Sequence, residues 1–149
     1  PENVPASCRR EPIRVLASAN ATSQLSIHDR HQLLEYRAAA ESASRALNQA
    51  GLRLKQVDLF ELGDESVIDL ILTLEAIGLS RPGYGWKTDR LTLNRGGGNI
   101  GRGFPVGAAG VYQLIEAMDW LSAQGSPKSA FIQALGGRGA TAVTHILAS

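Results

Sequence analysis

The chain is poor in the residues that most often declare a function. It has one cysteine, Cys8, in 149 residues. That excludes an intrachain disulfide and a metal centre built from cysteines. Cys8 itself reads as an inert thiol, because no base or helix dipole lies near it in sequence to lower its pKa. Aromatic residues amount to 5%, too few for a base-stacking platform. Neither sign of charge dominates, the formal net charge being +1, so no electrostatic case for a nucleic acid or an anionic membrane arises. No apolar run approaches the roughly 20 residues needed to span a bilayer. No signal-peptide pattern opens the chain, and a cytoplasmic location is expected. Residue 1 is proline, from which a fragment or a processed piece is expected.

What is present is ordinary globular material, 44% hydrophobic and 19% charged, enough for one domain with a real core. Residues 1–11 read as an irregular lead-in and 12–149 as the domain. "PIRVLASAN" (12–20) alternates like a strand, with Ile13, Val15 and Ala17 set against Arg14, Leu16 and Ser18. Residues 33–51 have helical spacing, with Tyr36, Ala39, Ala40, Ala43, Ala46, Leu47 and Ala50 in one stripe and Gly51 as a stop. "VDLFEL" (57–62) predicts a strand, and 64–78 a second helix, apolar over most of its circumference and so in need of cover. A short strand over 91–94, a third helix over 107–124 and strands over 129–135 and 141–148 follow. The last two are joined by four residues, too few for a crossover, and should pair antiparallel. The order β-α-β-α-β-α-β-β favours a mostly parallel sheet covered by helices.

Several short stretches could carry chemistry. "GGGNIG" (96–101) has the G-x-G-x-x-G spacing of a dinucleotide turn, but Gly103, Phe104 and Pro105 intervene before the helix and no acidic residue closes a second strand. A tight backbone turn is the simpler reading. In "GDES" (63–66), Asp64 reads as the N-cap of the second helix, with Glu65 near its positive end. The same place, at the C-terminal end of a strand, is where open α/β sheets bind ligands. Glu65 as acid or base, and Ser66 as donor, therefore stand as candidates beside Asp64. "GGRG" (136–139) is a hairpin turn or a close approach to a ligand. His145 reads as a surface or edge strand residue. His28 and His31 lack partners for a metal site, and none is expected.

Three blocks together resemble the C-terminal half of the thiolase superfamily, in particular its sterol-carrier-protein-like and archaeal acetyl-CoA acetyltransferase group. They are "AAAESASRALNQAGL" leading into "VDLFEL", "LNRGGGNIGRGFPVGAAGVYQLIE", and "LGGRGATAVTHIL". The resemblance implies an α/β fold, the thiolase half-fold, with a five-stranded mixed β-sheet between helices. It implies pocket loops at Gly63, Asn94, Gly97, Gly98, Gly103, Phe104, Pro105, Gly107, Gly136, Gly137 and Gly139. It also marks departures. Phe104 stands where the family has the histidine of G-H-P. Gly63 stands where the sterol-carrier-like group has a histidine. Gln133, Ala134 and Leu135 precede the last glycine cluster, where other thiolases carry a cysteine; the group's asparagine corresponds to Ala134.

The resemblance implies a part in acyl-CoA and lipid metabolism. Acyl transfer or carbon–carbon cleavage would need an N-terminal half that brings the nucleophilic cysteine. A coenzyme A thioester is the candidate ligand, with no covalently bound cofactor. The implied partners are an N-terminal thiolase half, a second copy of the chain, or a small zinc-ribbon and oligonucleotide-fold protein that holds acyl-CoA. The alternative is a non-enzymatic scaffold that keeps the fold and binds a partner protein. Self-association or partner binding is expected from the apolar second helix.

Overall fold

The computed structural model describes residues 12–88 and 92–149. The lead-in 1–11, with Cys8, and Leu91 lie outside the described residues. The first strand, β1 (Arg14–Thr22), is followed by helix α1 (Arg37–Ala50), strand β2 (Leu59–Leu62) and helix α2 (Val67–Ala76). A short helix α3 (Gly98–Arg102) and the longer α4 (Ala109–Ser122) precede strands β3 (Ser129–Gly136) and β4 (Thr141–Ala148).

Among the described residues the sheet has four strands in the order β1-β4-β3-β2, not the expected five. Of residues 92–94, Leu93 pairs, in an isolated parallel bridge to Phe60. Two backbone bonds make that bridge, Phe60 N–H to Thr92 O at 2.8 Å and Asn94 N–H to Phe60 O at 2.9 Å. The sheet is mixed, as the resemblance implies. The mostly parallel sheet expected from alternation alone is corrected, because the β3–β4 hairpin inserts β4 antiparallel to both β1 and β3, and only β2 and β3 run parallel.

One helical layer, α1 and α2, covers one face of the sheet, and α4 covers part of the other. Helix α1 lies on β1 and β4 through small residues, Ala38, Ala39, Ser42, Ala43 and Ala46, which let it approach closely. Gly51 ends it in the left-handed conformation, φ 65°. Residues 33–36 do not join the helix, and Leu33 and Leu34 are exposed. Phe60 and Phe131 fill the centre of this layer with ring centroids 5.7 Å apart. A buried polar tie runs through it: Gln133 Nε2 lies within hydrogen-bond distance of Ala39 O, Ser42 Oγ and Thr144 Oγ1, at 3.0, 3.1 and 2.8 Å, joining α1, β3 and β4. On the other face Ala117 and Leu121 of α4 pack on Leu59, Ala130, Ile132 and Leu147.

One further expectation is corrected. A bulge between Val15 and Ala17 places them against Leu147 and Ile146, on opposite faces. Val15 is therefore exposed while Ala17 is buried. Part of helix α2 is covered by the irregular 80–88 segment, where Gly85 packs on Ile71 and donates its N–H to Glu75 Oε1, while Val67 and Ile68 stay exposed. Helix α4 also has a bare apolar face, whose Val111, Tyr112, Ile115 and Met118 are each about half exposed.

Candidate functional site

Strands β2 and β3 are parallel, so their C-terminal ends, the turn after Leu93 and the N-terminus of α4 share one edge of the sheet. There the 63–66 turn, the 94–107 loop and the 136–139 hairpin turn meet. A groove of about 330 Å³ runs between α4 and the sheet. Its walls are apolar (Phe104, Val111, Leu114, Leu135), and Glu65 and His145 supply polar groups. Beside it lies a second hollow of about 400 Å³, bounded by Ser66, Asp69, Gly136, Gly137 and Gly139. Glu65, Phe104 and Leu135 border both. A further hollow, about 770 Å³, lies at the opposite end of the sheet around residues 121–127, with Asp119 in its lining.

Each candidate has a definite place. Asp64 is buried, and its Oδ1 accepts the Asn99 N–H at 2.7 Å, capping α3 rather than α2. The cap of α2 is Ser66, whose Oγ accepts the Asp69 N–H at 3.3 Å and donates to Asp69 Oδ2 at 2.6 Å. Replacing Ser66 by Ala should cost about 1 kcal/mol of stability in denaturant titration. A loss below about 0.3 kcal/mol would show that the cap contributes little.

Asn94 acts as a piece of backbone: its side-chain amide accepts from Leu62 N–H at 2.8 Å and donates to Leu62 O at 3.1 Å. Together with Gly97 and Gly98 it shapes the loop and does not line either hollow. Phe104 and Gly107 line the groove; Gly103 and Pro105 flank the ring. Gly63 is the informative glycine. A Cβ added there would stand 3.3 Å and 3.4 Å from the two carboxylate oxygens of Glu65, and 3.4 Å from Leu135. The Glu65 carboxylate thus occupies the space into which a side chain at position 63 would project.

Burial pushes the Glu65 carboxyl above the usual carboxylate range; its own backbone N–H opposes this, and the charges of Asp69 and Asp64 add to it. Behind it stands a group that sequence spacing does not reveal. The Tyr36 hydroxyl donates to Asp69 Oδ1. Burial, then that bond, holds the Tyr36 hydroxyl firmly protonated. Asp69 therefore carries two hydroxyl donors, Tyr36 and Ser66. His145, read from sequence as a surface or edge residue, is half-buried and faces the groove. Ala134 faces it too and offers only a methyl group, while Gln133 points to the opposite face.

The arrangement is a protonatable carboxyl at the junction of two hollows, walled by apolar side chains. Among the described residues no cluster of three or more His, Cys, Asp or Glu side chains has the form of a metal site.

A family model described as "Thiolase C-terminal domain-like" matches residues 19–149. An acetyl-CoA acetyltransferase of Methanothermobacter thermautotrophicus is 31% identical over 95% of this chain and 42% of its own length. Sterol carrier protein 2 of Bos taurus is 34% identical over 51% of this chain and 16% of its own length. The chain thus spans well under half of the curated relatives it matches. Among solved structures, a monomeric SCP2-thiolase-like protein type 1 from Mycobacterium smegmatis superposes with a TM-score of 0.74 at 20% identity, over 91% of this chain and 28% of that one. An Ltp2–ChsH2(DUF35) aldolase superposes with a TM-score of 0.79 at 16% identity, over 97% of this chain and 41% of that one.

Proposed function

The chain belongs to the thiolase C-terminal domain-like family, and from that premise we propose that it is the C-terminal part of an acyl-thioester-handling enzyme in which Glu65 moves the proton. The relatives include acetyl-CoA acetyltransferases, and a structural neighbour is an aldolase assembled with a DUF35 partner. Acyl transfer and carbon–carbon cleavage share one need, a group that takes or gives a proton at the reacting centre.

The observation that carries the reading is the position of the Glu65 carboxylate. It stands within 3.4 Å of where a side chain at Gly63 would begin and borders the same groove as Phe104. Phe104 and Gly63 occupy the positions at which the resembled family places imidazoles. A buried carboxyl with a raised pKa can serve as acid or base where a phenyl ring cannot. Phe104, Val111 and Leu114 would hold the acyl part of a coenzyme A thioester. The nucleophile and most of the coenzyme A site would come from an N-terminal half seated on the bare face of α4, with a small acyl-CoA-binding protein as a further partner, in the cytoplasm.

The test is a thioester assay on the chain with and without an N-terminal thiolase half. Binding and turnover are expected only in the assembled protein. An assembly that folds but neither binds nor consumes acyl-CoA would overturn the proposal. It would leave the scaffold reading, which the exposed Val111, Tyr112, Ile115 and Met118 face favours on its own.

A further inference from the structure

The turn between β3 and β4 borders the hollow beside Glu65, and it is held from outside by a segment that the chemistry proposed for Glu65 does not use. Residues 137, 138 and 139 have positive φ in succession, 56°, 53° and 78°. Arg138 is not a glycine, so its left-handed backbone is one that L side chains rarely adopt without support.

That support comes from residues 23–36. Ser23 N–H donates to Ala140 O at 2.7 Å. Leu25 Cδ1 lies 2.8 Å from where a Cβ at Gly137 would stand, and the Tyr36 ring 2.9 Å from one at Gly139. Between them, Arg30 Nε donates to Gln24 O at 3.0 Å and Nη2 to Arg138 O at 3.1 Å, with Gly137 O a weaker contact at 3.5 Å. The segment ends on the Tyr36 hydroxyl, which donates to Asp69 Oδ1. Asp69 and residues 136–139 border the same hollow. Helix α2 and the hairpin turn, both lining it, are therefore tied to one strap of chain.

We propose that Arg30 is a positioning residue for the thioester: it fixes the 137–139 turn as a wall of the hollow beside Glu65, and so sets the fit of the substrate there. This rests on the reading of the chain as part of a thioester-handling enzyme.

The guanidinium suits the task. It is a planar fork, so one side chain spans a carbonyl of its own segment and a carbonyl of the turn at once. A lysine ammonium is a single point charge on a flexible stem and lacks that fork. Bonds from an ionised donor are stronger than neutral ones. Among the described residues, the other backbone bond made inside the turn is Ala140 N–H to Gly137 O at 3.2 Å. Arg30 itself borders neither the groove nor the hollow. Any effect it has on the substrate therefore passes through the turn. A displaced wall weakens ground state and transition state alike, which raises KM and leaves kcat nearly alone.

The test measures acetyl-CoA turnover by the chain assembled with an N-terminal thiolase half. Arg30→Gln should raise KM about tenfold and Arg30→Lys about threefold, with kcat within about threefold of wild type. Arg45→Lys is the control. Arg45 also bonds a backbone carbonyl, Asn20 O at 3.0 Å, but borders neither hollow, so KM should not move. Amide exchange at Ala140 should quicken about tenfold in Arg30→Gln. Arg30 is half-buried at the surface, and Arg30→Lys carries the test if the Gln variant does not fold. Faster exchange with an unchanged KM would make Arg30 a folding contact only and overturn the positioning role. Exchange and KM both unchanged would overturn it too. An inert wild-type assembly would instead sink the thioester reading, and this role with it.

Discussion

Replacement of Glu65 by Gln is expected to lower thioester turnover by about two to four orders of magnitude, the range typical of a lost general acid or base. Gln keeps the shape of the side chain, so substrate affinity should stay within a few fold of wild type. The pH profile separates a proton-handling role from a packing one. Because burial raises the Glu65 carboxyl, its limb should appear above the ordinary carboxylate range. The rate rises through that limb if Glu65 acts as base and falls if it acts as acid, and the limb disappears in the variant. Folding should not suffer. A carboxyl raised in the folded state contributes stability that is present below its unfolded pKa and lost as pH climbs through the folded one. An uncharged Gln is therefore at least as stable near neutrality. Wild-type turnover in a folded Glu65→Gln protein would remove Glu65 from the chemistry.

The largest stability effect is expected at Gly98. Its φ is +59°, and a Cβ added there would lie 2.1 Å from Asp64 Oδ2. The carboxylate cannot swing aside freely, because its other oxygen holds the Asn99 N–H at 2.7 Å in a buried setting. Gly98→Ala therefore combines left-handed backbone strain with loss of a charge-assisted bond, together about 3 kcal/mol. Denaturant unfolding of Gly98→Ala, Asp64→Ala and the double variant tests the cause. If the new methyl acts through the Asp64 carboxylate, the double variant should be little worse than the worse single. Additive losses would place the damage elsewhere, and a loss under about 0.5 kcal/mol for Gly98→Ala would contradict the packing described here.

Much of the architecture is legible in the sequence because it rests on local signals. The periodic alanines of α1, the Gly51 stop and the four-residue link that forces β3 and β4 antiparallel all lie within a few residues of what they determine. The bulge at Leu16 is not legible, since the alternation continues through it and only pairing with Leu147 and Ile146 reveals the slip. The cap of α2 is not legible, because Asp64 and Ser66 are both good caps two residues apart. Asp64 is engaged by Asn99, 35 residues away. Helix α3 is masked in the sequence by glycines that usually oppose a helix. At the site, Glu65 and Phe104 are readable as unusual residues in marked loops, whereas Tyr36 and Asp69 meet across 33 residues and read as ordinary helical positions. Two missed residues did leave a signal: Glu61 and Gln133 are polar residues inside otherwise apolar strands, and each is buried among polar groups.

The strand order has a consequence for how the chain is made. Among the described residues, strand β1 bonds in the sheet only to β4, which lies about 120 residues further along the chain. Until β4 has been synthesised, β1 has no ladder to join and α1 has only part of its floor. A nascent chain halted anywhere before Thr141 would carry an open sheet edge on both β1 and β3. Closure of the sheet therefore waits on β4, and shortening β4 would split the sheet in two.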